Sequence, residues 1–167
     1  MRTVFLFLLV LFSVSFAQEF NKTVVDSESG KSMLVGNCNL EAFKDTSFSW
    51  WWDSSYKLYN VDTATVNNFA DEISDFDITI VMGTWCSDSR TEVPHFLKIL
   101  NDAHYDTNRI KLICVNRDKQ VEDIDISDLN IELVPTMIFY KDEKEVGRIV
   151  ETPYDSLEKD ILKILKG

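Results

Sequence analysis

The segment Ile78-Thr79-Ile80-Val81-Met82-Gly83-Thr84-Trp85-Cys86-Ser87-Asp88-Ser89 decides the reading of this chain. Residues 78–82 are a continuous apolar and β-branched run ended by glycine, the pattern of a buried strand. A helical pattern follows Cys86, with Val93, Phe96, Leu97 and Leu100 on one face. A cysteine held between a strand end and a helix start faces unsatisfied backbone N–H groups and the positive end of the helix dipole, surroundings that favour a nucleophilic sulfur. Cys86 is therefore the candidate nucleophile. Asp88 adds a like charge beside a thiolate, and Arg90 an opposite one. Ser89 and Glu92 also fit a Ser-x-x-Glu capping box, so the same residues double as helix-start signals.

Moving outward, Ile110–Val115 is a second apolar strand, and strand, helix, strand implies a right-handed parallel crossover. An acidic loop from Glu122 to Asp128 follows it. Thr136–Tyr140 and Glu145–Val150 are joined by Lys141-Asp142-Glu143-Lys144, the length of a hairpin turn, and should pair antiparallel. Pro153, Asp155 and Glu158 open a last helix whose buried face is Leu157, Ile161, Ile164 and Leu165. On the other side, Asp62 caps a predicted helix carrying Val66, Phe69, Ala70 and Ile73 and ending near Asp75. Residues 40–60 are rich in aromatics, with Trp52, Tyr56 and Tyr59 at helical spacing. A packed helix face is the simpler account of them, and a ligand-stacking platform the sharper one. Lys31–Gly36 reads as a short strand, and Gly36-Asn37-Cys38-Asn39 as an exposed turn.

Trp85-Cys86-Ser87-Asp88-Ser89, Pro94 eight positions after Cys86, and Val134-Pro135-Thr136 at the head of the hairpin together resemble the thioredoxin family. The resemblance runs over residues 62–167, and is nearest to exported thioredoxin-like proteins of Bacteroidetes-type bacteria with a Trp-Cys-x-Asp-Ser segment. It implies an α/β fold, a thioredoxin-like three-layer sandwich with a mixed central sheet, preceded by an aromatic-rich N-terminal extension at 18–61. It implies a cis Pro135 and places Cys86, Ser89 and Pro135 in the catalytic segment, with Trp85 and Val134 meeting an extended substrate. Two departures qualify it. Ser89 stands where dithiol members carry the resolving cysteine, so a mixed disulfide at Cys86 has no neighbouring thiol to release it. Ile80 stands six residues before Cys86, where thioredoxins carry a buried acid, so no internal proton acceptor is supplied. The implied activity is monothiol thiol–disulfide exchange, of isomerase rather than reductase type; a non-catalytic polypeptide-binding module is the alternative. Cys38, in its exposed turn outside the resemblance, is either a resolving thiol for Cys86 or an idle one.

Arg2, the apolar run Val4–Leu11 and the small residue Ala17 have the layout of a secretory signal peptide spanning 1–17. The run is shorter than the roughly 20 residues of a membrane span. The expectation is an exported protein, periplasmic or extracellular, without stable membrane insertion. Net charge is −11, and losing Arg2 with the leader makes it one unit more negative. Such a surface repels phosphate backbones, which argues against nucleic acid; the thioredoxin resemblance implies disulfide- or thiol-bearing polypeptides as partners. Three cysteines, Cys38, Cys86 and Cys114, are too few for a disulfide-stapled scaffold, and their odd number leaves one thiol without an intramolecular partner. Cys114, mid-strand among apolar neighbours, reads as a core residue. No metal-ligand spacing occurs, so neither a metal nor any other cofactor is expected.

Overall fold

The computed structural model describes residues 20–167; the leader expected at 1–17 lies outside them. Six strands form one sheet: β1 (Lys22–Val25), β2 (Ser32–Cys38), β3 (Asp77–Met82), β4 (Lys111–Cys114), β5 (Thr136–Lys141) and β6 (Lys144–Val150). Their order is β1-β2-β4-β3-β5-β6. β3 and β4 are parallel, and every other neighbouring pair is antiparallel. The sheet is thus mixed, as predicted. Its parallel pair is joined by α3 (Ser87–Asp102), a connection too long for a hairpin, which is why the helix crosses over the sheet. The hairpin β5–β6 turns through Asp142 and Glu143, both at positive φ, the twist a two-residue connection requires.

The two faces of the sheet differ. Ile78, Ile80, Met82, Leu112, Cys114, Met137 and Phe139 share one cluster with residues from all four helices: α1 (Thr46–Leu58), α2 (Thr63–Val66), α3 and α4 (Leu157–Lys166). By strand alternation Val81, Ile113 and Val115 point the other way. They meet Val134 and the partly buried side chains of Trp85, Cys86 and residues 121–131. The third layer is a loop with one short 3-10 turn at Ser127–Leu129, not a helical layer.

The predicted extension at 18–61 contributes to this core. β1 and β2 add to the sheet beside β4. Phe43, Phe48 and Trp51 are buried, and Trp52 stacks on Phe43 at 3.8 Å between ring centroids. The aromatic stripe is therefore mostly packing, with Trp50 the exposed exception at 65%. Buried Glu158, in the first turn of α4, accepts hydrogen bonds from the Tyr59 hydroxyl at 2.9 Å and the Asp62 N–H at 3.0 Å. Burial and that carboxylate together push the Tyr59 phenol well up.

The helix predicted from Asp62 to Asp75 is shorter than its periodicity suggests. Asp62 does cap it, accepting from the Thr65 N–H, but the α-helix stops at Val66 and only a 3-10 turn, Ile73–Asp75, follows. Three β-branched residues in one turn and Asn68, whose side chain bonds the Ala64 carbonyl, work against propagation. Val66, Phe69 and Ile73 are buried all the same.

Candidate functional site

Cys86 is the N-cap residue of α3, in extended conformation, directly after the turn that ends β3. The helix therefore begins three residues before the Ser89 start that a capping box would need. Ser89 sits inside the first turn, fully buried, and its Oγ accepts the Gly83 N–H at 3.2 Å. It braces the strand-to-helix turn instead of facing solvent beside the sulfur. Pro94 lies within α3, where it removes the amide that would bond the Arg90 carbonyl.

The Cys86 thiol is partly exposed and donates to the Val134 carbonyl at 3.2 Å. The Val134–Pro135 peptide bond is cis. Sequence positions 48 residues apart meet here because β3 and β5 are paired, with Val81 opposite Thr136, so the end of β3 and the start of β5 share one edge of the molecule. Cys86, Val134, Pro135 and Trp85 are thus brought together.

Trp85 covers the turn. Its Nε1 donates to the Val115 carbonyl at 2.9 Å. A Cβ on Gly83 would lie 2.6 Å from its ring, so glycine is required for this packing. The neighbouring Thr84 is buried, and its hydroxyl accepts the Leu34 N–H at 3.1 Å, tying the turn to β2. Arg90 donates from Nε to the Thr84 carbonyl at 2.6 Å and lies over the Trp51 ring at 5.7 Å. Burial lowers its affinity for a proton, and the neighbouring Cys86 acts in the opposite sense. Arg90 is thus a cation held on the turn that carries Cys86, within electrostatic reach of it. On the same helix, burial first and Asp88 second raise the Glu92 carboxyl.

A second arginine extends the site in a way the sequence did not signal. Arg117 lies over the Trp85 ring at 5.2 Å. Its Nε and Nη2 make a forked pair with Asp26 at 2.8 Å each, and its Nη1 reaches Glu28 at 3.0 Å. Asp26 is 2% exposed, and Arg117, then the Ser29 hydroxyl, hold its carboxyl well below the usual range. The pairing spans 91 residues, which no local pattern reveals. The one available clue is that Arg117 follows the end of β4, on the edge that carries Cys86. His95, by contrast, stacks on Tyr59 at 4.2 Å and has no part in the thiol site.

Cys38 requires a correction. It is the last residue of β2 and 3% exposed, where an exposed turn was expected. The strand continues through Gly36-Asn37 because Gly36 takes φ +99°, which glycine alone adopts without cost, and the Asn37 carbonyl accepts the Asn21 N–H. Cys38 faces Cys114 in the helix-side cluster, while Cys86 packs against the opposite one. The structure does not bring Cys38 to Cys86. Cys114 is fully buried.

A lone, partly exposed cysteine at the N-cap of a helix after a central strand, facing a cis proline that leads a hairpin, defines a thioredoxin-fold protein of the redox type. The thioredoxin family model matches residues 60–163, and the chain belongs to that family. Similar solved structures include a protein of unknown function from Pseudomonas aeruginosa, 15% identical with a TM-score of 0.56, covering 79% of this chain and 91% of that one. An HIV epitope scaffold is also 15% identical, with a TM-score of 0.57 and coverage of 80% and 94%. Both likenesses concern the fold alone. Mitochondrial thioredoxin 3 of Saccharomyces cerevisiae is 20% identical over 67% of this chain and 97% of its own, with a TM-score of 0.37. No curated protein matches the chain.

Proposed function

We propose that the chain is an exported monothiol thiol–disulfide exchange protein acting on disulfide-bearing polypeptides. The observation that carries the reading is the placement of the Cys86 thiol, partly exposed at a helix N-terminus and 3.2 Å from the Val134 carbonyl. In the first step the Cys86 sulfur, having given its proton to solvent, attacks one sulfur of a substrate disulfide. A mixed disulfide forms and the other substrate sulfur leaves as a thiolate. Arg90 offers a positive charge to the sulfur, and the helix end adds its dipole. The Val134-Pro135 edge and Trp85 would hold the substrate backbone in extended form.

Release has to come from elsewhere. Ser89 is buried and engaged with Gly83, and Cys38 is enclosed in the helix-side core. The second step therefore falls to a thiol of the substrate itself, which makes the net reaction isomerisation, or to two external thiols in turn, the first displacing the substrate thiolate from Cys86 and the second freeing Cys86 as an external disulfide forms, which makes it reduction. Export rests on the leader-like residues 1–17 alone.

The test is a scrambled-disulfide refolding assay with wild type and Cys86→Ser, alongside trapping of mixed disulfides in a substrate-release experiment. Reactivation by wild type and none by the variant is the expected result. Equal, exchange-independent binding of unfolded polypeptide by both proteins, with no mixed disulfide, would replace this reading by the non-catalytic binding module.

A further inference from the structure

Two cysteines of this chain are neighbours outside the thiol site. β2 and β4 pair antiparallel with Gly36 opposite Cys114 and Cys38 opposite Leu112. Cys38 and Cys114 are therefore diagonal neighbours on one face of the sheet. Both are buried in the same apolar cluster, at 3% and 0% exposure, and each thiol shifts the other's affinity for a proton. The Cys38 sulfur also lies 3.6 Å from the carbonyl of Gly36, the residue directly across from Cys114. With glycine at that position, no side chain stands opposite Cys114. Cys86 lies apart, bonded to Val134 and packed against the other cluster. The odd cysteine count thus resolves into a neighbouring buried pair and a single thiol.

We propose that Cys38 and Cys114 form a structural disulfide, a cross-strand bond between β2 and β4 installed by an external disulfide, which leaves Cys86 as the only free thiol. Diagonal strand neighbours have Cα atoms about 7–8 Å apart, and a disulfide needs about 7 Å or less. Buried side chains on one face at that spacing need new rotamers and a small inward shift, which Gly36, two residues before Cys38 and at φ +99°, permits.

The chemistry balances without any further reagent. The Cys38 thiol loses its proton, and its sulfur attacks the external disulfide, expelling one external thiolate that takes up a proton. The Cys114 sulfur, likewise deprotonated, then displaces the second external thiolate from the mixed disulfide. The two cysteines give up two electrons and two protons, and the external disulfide becomes two thiols. In the folded sheet the neighbouring Cys114 lowers the Cys38 thiol, whereas Cys38 and burial push Cys114 well up. Cys38 also ends its strand beside exposed Asn39. It is the sulfur reached first, before the strand closes during folding.

This inference stands independently of what Cys86 does. The full chain, reduced and unfolded, is refolded in a buffer of glutathione and glutathione disulfide, then denatured, alkylated with iodoacetamide and digested without reductant. One linked fragment joining residues 38 and 114, with the alkyl group on Cys86, is the expected result. The Cys86→Ser protein should give the same linked fragment, and the oxidised wild type should unfold at higher denaturant than the same protein after reduction. A 38–86 or 86–114 linkage overturns the proposal, as does alkylation of both Cys38 and Cys114. So would a linked protein that unfolds at lower denaturant than its reduced form.

Discussion

Every helix of the described chain packs on one face of the sheet, while the other face is closed by the loop 116–131 and a four-residue cluster. The catalytic-type thiol belongs to the thinner side: Cys86 and Trp85 pack on Val81, Ile113, Val115 and Val134. The helical side holds the large fully buried residues, among them Phe43, Phe69, Phe96 and Phe139. The contrast is one of division of labour. A close-packed face sets the stability of the molecule, since apolar burial is the main favourable contribution to folding. On the loop-covered side the sulfur stays partly exposed, because Cys86 stands at the edge where β3 ends and α3 begins.

That division can be broken most directly at Cys86. Cys86→Ser should reduce exchange to the uncatalysed rate while moving the unfolding free energy by no more than about 0.5 kcal/mol, as for a partly exposed residue outside the main core. Activity that survives in the variant would remove the thinner face from the chemistry. The faces can next be compared with one substitution made twice. Ile80 and Ile113 are both fully buried, one on each face. Large-to-small core changes cost about 2–5 kcal/mol depending on how far the surroundings relax. Ile80→Ala, under helices, should cost about 4–5 kcal/mol, and Ile113→Ala, under a loop that can settle, about 2–3 kcal/mol. Equal costs from urea unfolding would show that the loop packs as firmly as the helices. Smaller again, Ser89→Ala leaves the buried Gly83 N–H without its acceptor, at a cost of about 1–3 kcal/mol. Its imprint should be faster amide exchange at Gly83 with little change in the rate of Cys86 alkylation.

The helical face was the more legible of the two in the sequence, for a physical reason. Val93, Phe96, Leu97 and Leu100 repeat with the helical period, and Ile78–Met82 reads as a buried strand, because each side chain answers to its own element's geometry. The spacing of Cys86, Pro94 and Pro135 likewise placed the thiol between strand end and hairpin head. What the sequence withheld depends on pairing between distant segments. β1 has four residues with half their side chains exposed, too short and too polar to stand out. Cys38 looked like a turn residue because glycine and two asparagines surround it, yet its strand is fixed by pairing with β4. Ser89 looked like a cap or a substitute for a resolving cysteine, and only the turn geometry shows it bonded to Gly83. Arg117 and Asp26 carry no signature at all, since a forked ion pair between a hairpin turn and a strand end exists only after the sheet has formed.

That ion pair supplies the smallest expected effect, and it tests whether the thinner face is held by charge where it lacks helices. Asp26 is kept ionised in the fold well below its ordinary range, chiefly by Arg117. A carboxylate with a depressed folded pKa contributes stability that is present above the unfolded value, about 3.9 for aspartate, and is lost as pH falls below that value toward the folded one. The denaturation midpoint should therefore drop on acidification from about pH 4 downward. Asp26→Asn keeps the shape but gives Arg117 no anion. Its deficit relative to wild type should be full near pH 6 and shrink as pH falls below about 3.9, where the unfolded wild type binds a proton that folded Asp26 does not. Many surface carboxylates also titrate there, and neutralising them relieves the repulsion of a chain carrying −11. The difference between the two proteins cancels that shared contribution, so it and not the raw curve is the readout. Because Arg117 stacks on Trp85, releasing it should also quicken amide exchange in the Asp26–Lys31 turn while leaving the helical face unchanged. A deficit that stays constant across this pH range would mean that Asp26 acts through shape and neutral hydrogen bonds, and that the loop-covered face does not depend on its charge.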